Sequence, residues 1–348
     1  MGLPDNSTLR LFNLFLKGPK NLITDVPGVT VGHCTLKAGT INTGVTAIIP
    51  HPGDTFHEKL TAAVSVLNGF GKSAGLIQIQ ELGTLETPIL MTNTLSVGTA
   101  LNALVKYMLE RNADIGVDTG TVNCVVTECN DSRLNDIRGL HVTEADARAA
   151  LDAAAEDFAE GCVGAGTGMC CLGLKSGIGS ASRLLEADGQ RYTVGSLVLS
   201  NFGASGHLTI GGDHIGRRIR MRMGAQAYRD QMDKDQGSII IVLATDVPLN
   251  ERQLERVARR SMIALGRVGS YCGNGSGDIA IAFSTAQRHP HYSDKSILSD
   301  RHFFDDDIDV VFEAAIEATE EAIVSSLYHA ETTRGFGERE FKSLREFL

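Results

Sequence analysis

The residues best placed to do chemistry are Gly237 and Ser238, followed at once by the apolar run Ile239-Ile240-Ile241-Val242-Leu243-Ala244 and then Thr245-Asp246. A serine that opens a buried strand, preceded by glycine and by the polar stretch Ala225 to Gly237, fits a nucleophile that cuts its own chain. Glycine on the acyl side tolerates unusual backbone conformations and leaves its carbonyl open to attack. Ser238 Oγ would attack that carbonyl and form an ester, and water would hydrolyse it. The freed α-amine, with an ordinary pKa of about 7.7–8, would then stand beside the hydroxyl as a general base at neutral pH. Gly-Ser alone is equally the plain start of a strand.

Other motifs carry less. Gly71-Lys72-Ser73 resembles the tail of a phosphate-binding loop, but the glycine needed five residues before Gly71 is Val66, so the backbone cradle is incomplete. Gly164-Ala-Gly166-Thr-Gly168 is a partial dinucleotide fingerprint. The glycine-rich MCCLGLKSGIG that follows it does not open a helix, and a turn-rich structural or active-site loop is expected. Ten histidines form no metal motif. His33 and His51 read as structural, and His289 and His291, flanking Pro290, as a solvated loop. Seven cysteines, odd in number and without C-x-x-C pairs, suggest neither a disulfide framework nor a zinc site.

The elements that must position such a site are short. Strands are expected at Val45–Ile49, Leu76–Ile79, Val122–Thr127, Ser196–Leu199, Ser238–Ala244 and Ile279–Phe283. Ser238–Ala244, almost uniformly apolar, should be a central strand covered on both faces. Helical spacing runs through Val97 to Met108, Leu254 to Leu265 and Ile308 to Ile316. Thr143 and Asp146 look like a capping pair opening a helix that reaches Phe158. The order is not a clean β-α alternation, which favours two sheets with helices outside.

Bulk properties narrow the function classes. With 348 residues, 43% hydrophobic and 21% charged, the chain can build a full core. A formal charge of −10 without a long basic run argues against nucleic acid and mildly favours substrates bearing an amine. Met1 to Pro27 lacks the apolar core of a secretory signal, and no stretch approaches bilayer length. A cytoplasmic protein without a membrane partner is expected.

In order along the chain, Ile23-Thr-Asp-Val-Pro-Gly-Val29 with Val31-Gly-His33, Pro88 to Gly98, Glu128-Cys-Asn-Asp131 with Leu134-Asn-Asp-Ile137, Lys175 to Ser182, Ser238 to Leu249 and Gly273 to Ser284 resemble the self-processing L-aminopeptidase/D-amidase-esterase and β-peptidyl aminopeptidase family. The resemblance implies a four-layer αββα sandwich in a single peptidase domain, cleaved into a large chain, 1–237, and a small chain, 238–348. It implies that the small chain begins with the nucleophile Ser238, that Asn201 stabilises the oxyanion, and that Ser276 and Asp278 contact the nucleophile. Glu128 would receive the substrate's free amine. Asn130 stands where some members carry an aromatic residue, and Asp278 where some carry glutamate, which bears on substrate preference. No cofactor or metal is implied. The implied substrates are short peptides, amino-acid amides or esters, of L-, D- or β-amino type, and the implied assembly is a homo-oligomer of processed pairs. Two alternatives stay open: an acyltransferase of the ornithine acetyltransferase kind or an amide-oligomer hydrolase on the same architecture, and a non-enzymatic scaffold that has inherited it.

Overall fold

The computed structural model describes Leu3 and residues 9–229 and 236–348. Two sheets dominate. The smaller contains β1 (Thr30–Ala38), β2 (Ile41–Ile49), β5 (Ile89–Asn93) and β6 (Val125–Cys129), in the order β1-β2-β5-β6. The larger contains β3 (Glu58–Gly69), β4 (Thr84–Leu85), β9 (Ile178–Ala187), β10 (Gln190–Asn201), β11 (Gln236–Thr245) and β12 (Gly275–Pro290), in the order β4-β3-β12-β11-β10-β9. Between the sheets in sequence, β7 (Cys170–Cys171) and β8 (Leu174–Lys175) form a small separate ladder.

Three apolar layers follow from side-chain alternation. On β11, Ile240, Val242 and Ala244 face Val31, Ile48, Met91 and Val125 of the smaller sheet. Ile239, Ile241 and Leu243 point the other way, onto α5 (Glu251–Ser261), α6 (Ile263–Arg267) and α7 (Asp309–Tyr328) through Leu254, Val257, Leu265, Val311 and Ile323. Outside the smaller sheet, α2 (Val97–Arg111) and α3 (Glu144–Asp152) bury Ala100, Leu104, Met108, Ala147 and Leu151 against Val45, Ala47, Leu90 and Val126. The result is a four-layer αββα sandwich. β11 is its central strand, hydrogen-bonded antiparallel to β10 and parallel to β12.

Several local expectations change. Leu76–Ile79 lies in a short helix, α1 (Leu76–Leu82), not a strand. Its alternating apolar residues mimic a strand, but Gly75 and Gly83 take left-handed conformations at its ends, and Gln and Glu are good helix formers. The Thr143–Asp146 capping box is present, yet α3 stops at Asp152 rather than Phe158. There the backbone of Ala155 is captured by Val31, with N–H to carbonyl bonds of 2.9 and 3.1 Å in the two directions. His289 and His291 are half-buried rather than a solvated loop: β12 extends through His289 to Pro290, and the two rings pair with the hydroxyls of Thr61 and Thr119 at 2.7 and 2.8 Å. Of the stretch 225–237, residues up to Arg229 continue α4 (Ile215–Arg229), which kinks at Gly224. Residues 230–235 of that stretch lie outside the described residues. Among the described residues, no helix is long and apolar enough to cross a membrane, and no cluster of His, Cys, Asp and Glu is arranged to hold a metal ion.

Candidate active site

The first residues of β11 lie where the two sheets meet at one end of the sandwich. Ser238 pairs with Asn201 of β10 on one side and Gly277 of β12 on the other. By alternation with Ile240, its side chain points between the sheets, and it is 4% exposed. Gly237 before it has φ of +140°, a conformation that L side chains rarely adopt. A methyl group on its Cα would also lie 1.9 Å from the Asn201 carbonyl oxygen. Conformation and close approach therefore both require glycine at this junction.

A cavity of about 360 Å³ opens over Ser238. Its wall includes Gly237, Ser238, Asn201, Glu128 and Asn130, so five of the residues expected from the sequence converge on one space. Glu128, on β6, is 3% exposed and faces this cavity. One carboxylate oxygen accepts the Lys72 N–H at 2.9 Å and the other accepts the Thr94 hydroxyl. Among the described residues these are its two donors, and a buried carboxylate so held keeps lone pairs for a cationic ligand.

Asn201 ends β10, and its amide is held at both atoms. Oδ1 accepts the Cys170 N–H at 3.2 Å, and Nδ2 donates to the Asn130 carbonyl at 3.0 Å. This fixes the amide's orientation and leaves one N–H of Nδ2 available. The glycine-rich loop that precedes Cys170 is thus a support for Asn201, not a nucleotide site. Asn130 acts mainly through its backbone, since its side chain closes the following turn by accepting the Ser132 N–H at 2.9 Å.

Ser276 and Asp278 are at the site but not on the cavity wall. They alternate with Gly277 on β12, on the face that continues to Ala280 and Ala282 against the helices. Ser276 Oγ donates to Asp278 Oδ1 at 2.6 Å and Asn68 Nδ2 donates to Oδ2 at 2.8 Å. The pair is buried beside the start of β11. Cys129 lies under the hydroxyl. Burial pushes its thiol well above its usual range, a Ser238 hydrogen bond opposes this, and Sγ lies 3.5 Å from the Leu199 carbonyl oxygen. It stays protonated and does not compete as a nucleophile.

Sequence reasoning missed four contributors: Lys72, whose main-chain N–H fixes Glu128, Thr94, Asn68 and Arg133. Thr94 fell within a quoted motif without being assigned a role. Gly71-Lys72-Ser73, which resembles the tail of a phosphate loop, instead runs so close to Glu128 that a Cβ on Gly71 would meet it at 3.7 Å. His33 and His51 are structural, as expected. His33 bonds Thr46 Oγ1 and the Ala159 carbonyl, and burial pushes it down to about 4.

Comparison with known proteins agrees with this geometry. Residues 21–341 match the model of peptidase family S58. The β-peptidyl aminopeptidase BapA of Sphingosinicella microcystinivorans is 39% identical over 336 residues, covering 91% of this chain and 84% of that protein. The crystal structure of the PH0078 protein from Pyrococcus horikoshii OT3 superposes with a TM-score of 0.90 at 49% identity, covering 97% of this chain and 94% of the other. The L-aminopeptidase D-Ala-esterase/amidase of Ochrobactrum anthropi, described as a prototype of the serine aminopeptidases and a variant of the Ntn-hydrolase fold, gives 0.89 at 39% identity, with the same coverage. With the family model matched over residues 21–341 and a relative 39% identical over 91% of the chain, this chain belongs to peptidase family S58.

Proposed function

We propose that this protein cuts its own backbone between Gly237 and Ser238 and then works as a serine aminopeptidase on short peptides, amino-acid amides or esters. The observation that carries the reading is the shared cavity of Ser238, Asn201 and Glu128. In the first reaction Ser238 Oγ attacks the Gly237 carbonyl carbon, the C–N bond breaks, and water hydrolyses the resulting ester. Residues 1–237 and 238–348 then form the large and small chains of a single peptidase domain. In turnover, the Ser238 α-amine takes the hydroxyl proton as Oγ attacks the substrate carbonyl. The free N–H of Asn201 Nδ2 stabilises the oxyanion. The proton passes to the leaving amine, and water releases the acyl group from Ser238.

Glu128 takes the substrate's ammonium, which limits the enzyme to residues at a chain start. Ser276 and Asp278 hold the new α-amine from the opposite face of the strand and orient it toward Oγ. Asn130 shapes the substrate end of the cavity and holds the Asn201 amide by its carbonyl. No cofactor takes part. Seven free thiols suit a reducing cytoplasm, and assembly into a homo-oligomer of processed pairs is carried from the family resemblance.

The test is a panel of aminoacyl p-nitroanilides, amides and esters given to the processed protein, alongside acetylornithine with glutamate. Release of p-nitroaniline roughly tenfold to 150-fold faster from substrates with a free amine than from those without one is expected. Formation of acetylglutamate without hydrolysis would replace the peptidase by a transferase, and no turnover of either set would leave only a scaffold.

A further inference from the structure

Arg133 is a cation on the cavity wall that the mechanism above does not use. It lines the same cavity as Ser238, Glu128 and Asn201, on a turn that is rigidly mounted. The carbonyl of buried Asp131 accepts the N–H groups of Leu134 and Asn135 at 3.0 and 2.9 Å. The Asp131 carboxylate accepts Asn135 Nδ2 at 3.0 Å, and Asn42 Nδ2 donates to the Leu134 carbonyl at 3.0 Å. Arg133 projects from this anchored turn.

Among the described residues, nothing forms a hydrogen bond or ion pair with its guanidinium. Burial holds its pKa below the usual arginine value, and Arg339 adds repulsion. A half-buried guanidinium with five N–H donors and no anionic side chain among the described residues is costly and is relieved by a planar anionic ligand. The cavity's other cation, Lys72, stands differently: its ammonium lies 3.9 Å from the centre of the Phe70 ring. The cavity therefore offers both a carboxylate, Glu128, and, among the described residues, an unpaired guanidinium, Arg133, and its volume of about 360 Å³ suits a short ligand.

We propose that Arg133 is a specificity-determining residue that binds a carboxylate on the leaving part of the substrate, so that the preferred substrates are free dipeptides bound as zwitterions. The inference rests on the aminopeptidase reading, with the ammonium on Glu128. The carboxylate is the chain terminus or an acidic side chain of the second residue.

Hydrolysis of Ala-Ala, Ala-Ala amide and Ala-Asp amide by wild type, Arg133→Ala and Arg133→Lys tests it. The expected wild-type KM for Ala-Ala is about tenfold to a hundredfold below that for its amide, the range of a charged hydrogen bond. In Arg133→Ala that gap closes through KM with little change in kcat, and Arg133→Lys restores part of it. A low KM for Ala-Asp amide that the alanine variant loses assigns the contact to side-chain carboxylates too; a high one assigns it to the terminus alone. An equal KM for acid and amide in wild type, or an unchanged gap in Arg133→Ala, overturns the proposal. Calorimetric binding of the reduced-amide analogue of Ala-Ala separates the two readings without turnover. Arg133-dependent binding without hydrolysis refutes only the peptidase reading, and hydrolysis with Arg133-independent binding refutes only this one.

Discussion

Replacing Glu128 by glutamine removes a charge while leaving the surrounding hydrogen bonds nearly intact. The carboxylate is 3% exposed and accepts one bond from the Lys72 main chain and one from the Thr94 hydroxyl. A glutamine Oε1 still accepts the Lys72 N–H, and its Nε2 can donate to Thr94 Oγ1, so fold and register should survive. What disappears is the charge on the lone pairs facing the cavity. A hydrogen bond to a charged group contributes about 1.5–3 kcal/mol, or roughly tenfold to 150-fold in binding. Solvent and salt screen it little at this burial. The assay compares alanine p-nitroanilide with propionyl p-nitroanilide, which lacks the amine, on wild type and Glu128→Gln. The expected loss in kcat/KM is confined to the amine substrate and falls mainly on KM. Self-cleavage, which involves no substrate ammonium, should keep its wild-type rate. Equal losses on both substrates, or none on either, would refute the assignment of Glu128 to the amine.

Asn201→Ala leaves the Cys170 N–H and the Asn130 carbonyl without their partner. It should lower kcat about 10²–10³-fold and cost roughly 1–3 kcal/mol of stability, read by steady-state kinetics and thermal melting. Gly237→Ala meets a φ of +140° and the Asn201 carbonyl; relieving about 1–3 kcal/mol of strain displaces the scissile carbonyl from Ser238, so self-cleavage followed by gel electrophoresis should slow roughly fivefold to 150-fold. Burial pushes Asp131 up to about 7, whereas an unfolded aspartate titrates near 3.9. The native state therefore holds a proton that the unfolded state has lost, and this contribution to stability disappears as pH rises from about 4 to 7. The melting temperature of Asp131→Asn relative to wild type should rise across that window by the equivalent of up to about 4 kcal/mol. Glu160 and His33 titrate in both proteins and cancel in the comparison.

The legible parts of this protein were those whose signal is local. The run Ile239–Ala244 announces a central strand because a strand covered on both faces has no polar positions, and its neighbouring Gly-Ser junction draws attention to Ser238. Thr143 and Asp146 mark a helix start by their own spacing, whereas the end of α3 depends on Val31, more than a hundred residues away. Edge strand β1, with its mixed polar pattern, and β3 left no clear period. The support of the site was hidden for the same reason. Lys72, Thr94 and Glu128 meet only because β5 and β6 run parallel and the turn after β3 folds over them. Gly71-Lys72-Ser73, discounted as a phosphate loop, works through a main-chain N–H that no side-chain motif encodes. Ser276 and Asp278 were found by resemblance, but only strand alternation shows that they reach β11 from the face opposite the Ser238 hydroxyl.

The claim on which the whole reading depends is that the hydroxyl of Ser238 opens its own chain. Intact-mass measurement under denaturing conditions on wild type and Ser238→Ala tests it directly. Two chains, ending at Gly237 and beginning at Ser238, are predicted for wild type, and one uncut chain of 37.2 kDa for the variant. A wild-type protein that remains a single chain while still hydrolysing aminoacyl amides, or a Ser238→Ala protein that splits at the same bond, would contradict it.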